Sequence, residues 1–176
     1  LSDQLRIGIE FGIASGDKDV EGLSAPASFD QLNGESSRFS VFSFNPGYSV
    51  DFILYRHILG SVSGSYYFKP WLRYDFLKAA MGKKFGVQLD VLFARAFYEA
   101  STISNSSGNL GVELDARVDF ATSDNFVAAL KYGVLFPLNG FKGTHEWEDA
   151  TGAARTYRDT DLSIPQTLQL LLGITF

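Results

Sequence analysis

The chain has 176 residues, no cysteine and a formal net charge of −5, with 45% hydrophobic and 15% aromatic residues. That length suits one domain with a buried core, the missing thiols exclude a disulfide framework, and the acidic balance leaves no electrostatic footprint for nucleic acid. No run reaches the roughly eighteen apolar residues of a transmembrane helix, which says nothing against a barrel whose strands hide apolar residues in alternation.

The chain begins with Leu and shows no signal peptide, and so reads as processed, truncated or part of something longer. Residues 5–14 put Leu5, Ile7, Ile9, Phe11 and Ile13 on one face against Arg6, Gly8, Glu10, Gly12 and Ala14 on the other. A period of two is the signature of a strand. From residue 15 the alternation gives way to a stretch rich in Gly, Ser, Asp and Pro, which reads as a long loop. Inside it, Asp17, Asp19, Glu21 and Gly22 match the first, third, fifth and sixth positions of a calcium loop. Ser28 stands where that loop needs a bidentate Glu, so a calcium site here is half built; the other reading is a solvated acidic loop. Residues 48–59 fit two periods. Val50, Ile53, Leu54, His57 and Ile58 recur at helical spacing, with Ser49 as N-cap and Gly60 as stop; Tyr48, Val50, Phe52 and Leu54 alternate as a strand would.

Residues 66–76 form a second strand, with Tyr66, Phe68, Pro70, Leu72, Tyr74 and Phe76 opposite Tyr67, Lys69, Trp71, Arg73 and Asp75. Pro70 cannot donate to a ladder and belongs at a bulge or a non-bonded position. After a basic turn, residues 85–97 set Phe85, Val87, Leu89, Val91, Phe93 and Phe97 against Gly86, Gln88, Asp90, Leu92, Ala94 and Ala96, with Arg95 interrupting the apolar face. Residues 110–120 place Leu110, Val112, Leu114, Ala116, Val118 and Phe120 opposite Glu113, Asp115, Arg117 and Asp119. A tight turn at 122–125 leads into residues 126–138, where Phe126, Ala128, Leu130, Tyr132, Val134, Phe136 and Leu138 oppose Lys131. A polar loop over 139–165 precedes the last strand, 166–176, whose Leu168, Leu170, Leu172, Ile174 and Phe176 share one face.

That last strand, QTLQLLLGITF, has the length a tilted strand needs to cross a bilayer, and it stops on an aromatic. It resembles the closing strand of bacterial outer-membrane β-barrels, which implies an assembly signal on Leu172, Ile174 and Phe176 read by a barrel-assembly machinery. Gly173 departs from the pattern, since the usual signal has its Gly further from the end. With Phe176 at the periplasmic end, the long connections 15–65, 98–109 and 139–165 all fall outside, and the short ones at 77–84 and 122–125 fall inside. The apolar-face aromatics sort too. Tyr74, Phe76, Phe85, Phe120, Phe126 and Phe176 gather at one end; Phe11, Tyr66, Phe68, Phe93, Phe97 and Phe136 gather at the other, with aliphatic residues between. Two aromatic girdles around an aliphatic band are expected of a lipid-facing barrel surface. The expected fold is therefore all-β, a transmembrane antiparallel β-barrel in the bacterial outer membrane, forming a single unit over 1–176. A soluble sandwich or ligand-binding barrel is the other all-β outcome.

Two strand counts keep this sidedness. In the first there are six strands, and 15–65 is an outside excursion with a short helix at 49–59. In the second, residues 38–44 and 48–55 add a hairpin around Asn45, Pro46 and Gly47, giving eight. Eight strands close a small barrel alone; six leave an open edge, whose unpaired backbone groups cost several kcal/mol each in lipid. The runs IASGDKD, NPGYSVDFILYRHILG and YYFKP resemble a region of wide outer-membrane barrels of the alginate-export kind, and more closely uncharacterised barrels of the myxobacterial type. The resemblance covers roughly residues 7–75 and the last strand. It implies six strands of a larger barrel, completed by another chain or chain segment and surrounded by lipid and lipopolysaccharide.

The polar face carries Arg6, Glu10, Lys69, Arg73, Asp75, Gln88, Asp90, Glu113, Asp115, Arg117, Asp119 and Lys131. These residues would line a charged lumen and tune permeation, or else simply hydrate and pair across strands. Both signs are interspersed over this face, which gives no anion or cation preference. The two histidines, His57 and His145, stand in no catalytic constellation; Glu146, Glu148 and Asp149 beside His145 could ligate a metal or be solvated. No enzyme is expected. The expected function is a porin or exporter of polar solutes. A scaffold barrel anchoring surface partners through its long loops is the second class, and a soluble ligand-binding barrel the third.

Overall fold

The computed structural model describes residues 4–16, 42–45, 47–77, 83–104, 106–148, 154–159 and 162–174, with the side chains of 144–148 and 154–159 left aside. The calcium-loop residues Asp17, Asp19 and Glu21 and the terminal Phe176 lie outside the described residues.

The strands are β1 (Leu5–Ala14), β2 (Ser65–Leu77), β3 (Lys84–Ala96), β4 (Asn109–Ala121), β5 (Phe126–Pro137), β6 (Gly143–Glu148), β7 (Ala154–Asp159) and β8 (Gln166–Ile174). Six of them form one antiparallel sheet in the order β1-β2-β3-β4-β5-β8, an open sheet with β1 and β8 as its edges. Residues 48–53 carry no strand, so the added hairpin of the eight-strand alternative is not there to close a barrel. The 139–165 connection, expected as a loop, contains β6 and β7, which pair only with each other in a separate two-stranded sheet. Its alternation runs between polar residues and hides from any hydrophobic count.

The β-turn between β4 and β5 uses Asn125 in the left-handed region (φ 62°), and Thr122 N–H donates to the Phe126 carbonyl. Asn tolerates that conformation at little cost, which lets the two strands reverse tightly. Pro70 needs no bulge: the β2–β3 register is the same at Phe68↔Phe93 and Trp71↔Asp90 on either side of it. A bulge does occur in β4, where Ala94 faces Gly111 but Arg95 faces Asn109, leaving Leu110 as the extra residue. This corrects the placement of Leu110. It is 1% exposed and packs in the buried cluster, because an inserted residue breaks the strict alternation of faces.

The faces of the six-stranded sheet are inverted relative to a water-soluble protein. Ile7, Ile9, Phe11, Leu89, Leu114, Leu130, Leu168, Leu170 and Leu172 are all exposed, with Ile9 at 67% and Leu168 at 70%. Among the described residues of this face Arg95 alone is charged, and it pairs with Glu99 at 3.4 Å near the Ala14 end of the sheet. One cross-strand row of this face reads Phe11, Phe68, Phe93, Val112 and Phe136. The buried cluster lies on the opposite, polar face. There Tyr67, Leu92, Ala94 and Leu135 pack under Val50, Ile53, Leu54, Tyr55 and Val62 from the connection between β1 and β2. That connection, expected to lie wholly beyond the strand ends, folds back over the polar face between a Ser43↔Ser63 bridge at its neck. On the same face two glycines sit directly opposite large rings, Gly8 facing Trp71 and Gly12 facing Tyr67. A Cβ on either glycine would collide with the ring across from it.

Candidate functional site

The antiparallel register sorts the polar-face charges into rows that single strands do not reveal. One row crosses all six strands as Arg6, Arg73, Gln88, Arg117, Lys131 and Gln169, every member a cation or an amide. The neighbouring row contains Asp90 beside Asp115, and the row on the other side contains Asp75 and Asp119. Like charges directly opposite one another are unfavourable, so the ion pairs here join neighbouring rows, either along one strand or across strands. Arg73 reaches Asp75 at 2.9 Å and Asp119 at 2.8 Å; Arg117 reaches Asp119 at 2.6 Å, and Arg6 pairs with Asp75. Gln88 donates to Asp90 at 3.0 Å.

Around these groups lies a pocket of about 560 Å³ at the Leu5 end, lined from Arg6 on β1 to Leu171 on β8. Because one cavity touches residues from all six strands, the sheet curves around its polar face. Lys131 stands at the margin of this region with its ammonium 5.4 Å from the Phe52 ring centre, a cation–π distance.

Towards the Ala14 end the polar face is covered by the folded-back connection. Its bend begins at Asp51 and continues into a π-helical turn, Leu54–Ile58. Glu113 of β4 is fully buried and accepts three successive backbone N–H groups, from Phe52 at 2.9 Å, Ile53 at 2.7 Å and Leu54 at 2.8 Å. Successive N–H groups converging on one anion form the backbone nest that binds phosphates elsewhere. Asp51 accepts the next two, from Tyr55 at 2.8 Å and Arg56 at 3.1 Å. Ser49, expected as the cap, instead bonds the Asp51 carbonyl, and the capping side chain is Asp51. Lys69 is 9% exposed; its ammonium donates to the Val50 carbonyl at 2.8 Å and pairs with Glu10 at 2.7 Å. Glu10 also accepts the hydroxyls of Tyr67 at 2.6 Å and Tyr48 at 3.0 Å.

All twelve polar residues named from sequence thus share one face, and eight of them fall into two groups. Arg6, Arg73, Asp75, Arg117 and Asp119 border the pocket, while Glu10, Lys69 and Glu113 hold the folded-back segment. Asp115 lies between them, 5% exposed, its Oδ1 without a hydrogen-bond partner among the described residues. Sequence reasoning missed Asp51, Tyr48 and Tyr67 as contributors. An acidic side chain just before a turn was the available signal for Asp51. Leu172 and Ile174 are exposed on the apolar face. Among the described residues no group of three His, Cys, Asp or Glu side chains is placed to hold a metal. No protein-family model, curated protein or solved structure matches the chain.

Burial, and after it the Glu113 charge, pushes the Asp51 carboxyl from the usual 3.8 up to about 7, against the pull of the Tyr55 and Arg56 amides and Lys69. Burial likewise raises the Tyr55 phenol, whose hydroxyl bonds Ser65 at 3.1 Å. A raised carboxyl binds its proton more tightly in the folded segment than when released. Its contribution to stability is fully present below the usual value and is lost as pH rises through about 7. Hydrogen exchange of the Tyr55 and Arg56 amides, corrected for intrinsic rates, is expected to show protection falling across that window. Asp51→Asn should flatten the profile; an unchanged slope in that variant would assign the titration to another group.

Proposed function

We propose that the chain is part of an outer-membrane β-barrel whose polar face lines a passage for polar solutes, as in a porin or exporter. One observation carries this reading: the sheet exposes a continuous apolar face and turns its charge rows and its pocket to the other side. In water such a face, spanning six strands, is an aggregation surface; in a bilayer it is the matching solvent. Mutual pairing alone does not account for the charges: Glu10 sits directly across from Lys69, but the register also sets Arg6 beside Arg73 and Asp90 beside Asp115. Lipid forbids bare sheet edges, so β1 and β8 are joined by further strands from another chain or from more of the same one. Lipopolysaccharide and the barrel-assembly machinery are the partners this reading brings with it.

Conductance in planar bilayers tests it. The full chain, purified in detergent and reconstituted, should give discrete channels. A species soluble without detergent would sink the membrane reading. A stably inserted but silent species would favour the alternative of a scaffold barrel, for which the separate β6–β7 hairpin offers a surface for partners.

A further inference from the structure

We propose that the 47–64 segment is the constriction of this passage and that Glu113 is the positioning residue that fixes it there. This rests on the pore reading. The segment crosses the polar face from β1 to β5: Tyr48 bonds Glu10 at one side, and Phe52 lies under Lys131 at the other. It is therefore placed to narrow the passage across the span of five adjacent strands of the sheet.

Its attachment is that of a fixed wall and not of a mobile lid. Every backbone N–H from Phe52 to Leu59 has a partner: the first three on Glu113, two on Asp51, and those of His57, Ile58 and Leu59 on the carbonyls of Ile53 and Leu54. Only the first three depend on a group outside the segment. No other described side chain is hydrogen-bonded to them, so withdrawing Glu113 strands three neighbouring donors in a buried site. The other described outside polar holds act elsewhere: Lys69 on the Val50 carbonyl and Tyr48 on Glu10 before the bend, Tyr55 on Ser65 after it, and the Val62 and Gly64 carbonyls at the neck. Release should accordingly begin at residues 52–54 and leave the sheet intact.

The test uses the full chain in detergent and in bilayers, with Glu113→Ala, Glu113→Gln and, as control, Asp124→Asn in the exposed β4–β5 turn. Glu113→Ala should lower exchange protection at Phe52, Ile53 and Leu54 by about ten-fold or more while β3 to β5 stay protected. Conductance and the passage of uncharged oligosaccharides should rise by about two-fold or more, with the control unchanged. Glu113→Gln keeps the shape and one acceptor oxygen, so it should fall between; it also carries the test should the alanine variant fail to fold. Protection at 52–54 equal to wild type would remove Glu113 as the anchor. Lost protection with unaltered conductance would overturn the constriction and leave the pore standing. Wild type and variants all silent would overturn both.

Discussion

Leu170→Lys is expected to cost about 2–4 kcal/mol of folding stability in a bilayer, whereas Leu171→Lys costs close to nothing. The two residues are neighbours on β8 and nearly equally exposed, at 67% and 59%. In water, two such surface leucines would accept lysine equally well. They differ in face: Leu170 belongs to the apolar side, while Leu171 lines the pocket on the polar side beside Ala129. On the proposed membrane reading, lysine at 170 must place its ammonium in hydrocarbon or snorkel out of it, but lysine at 171 meets the water and carboxylates of the polar side. Urea titrations of folding into liposomes give the two differences directly. Equal effects at both positions would argue that neither face meets lipid.

Lys69→Met is expected to destabilise the fold by about 2–3 kcal/mol, below the usual cost of breaking a fully buried pair because part of Glu10 remains in contact with solvent. The Lys69 side chain is 11% exposed and that of Glu10 28%. The methionine fills the volume but leaves the Val50 carbonyl and one Glu10 oxygen without the cation. Both tyrosine hydroxyls still reach Glu10, which softens the loss. Adding Glu10→Gln to Lys69→Met should cost less than the sum of the single changes, since the charge left behind is then gone. Strict additivity in denaturant unfolding would mean that the pair contributes nothing beyond packing.

The six strands of the main sheet were legible because each alternates over nine residues or more, and the period of two is a local property. Face assignment failed at Leu110 for a plain reason: a bulge depends on the partner strand's register, which no single strand records. The charge rows were invisible for the same reason. Arg6, Arg73, Arg117 and Lys131 are scattered through the chain and join one row only when four pairings are fixed together. Residues 48–59 fitted both a helix and a strand; the strand did not form, and of the helix only a π-helical turn over Leu54–Ile58 did. The outcome was decided at a distance by Glu113, whose carboxylate holds a nest that propensity has no means to anticipate. The β6–β7 hairpin escaped because its residues alternate in size and branching but hardly in hydrophobicity.

Trp71 and Tyr67 lean onto Gly8 and Gly12, each ring occupying the place where a side chain of β1 would otherwise stand. Large aromatic groups on an inward surface normally project into the space it encloses. Here they are recessed like inlay, so the room above Trp71 on the polar face is governed by the hydrogen atoms on the Gly8 α-carbon. In the proposed passage, a single methyl at Gly8 would tip the indole inward as a baffle. The same change at Gly12 would lift the Tyr67 phenol from Glu10 and pull on the Lys69 hold beyond it. The depth of the polar face at Trp71, and the seating of the Glu10 and Lys69 hold at Tyr67, are thus set by what the two glycines lack.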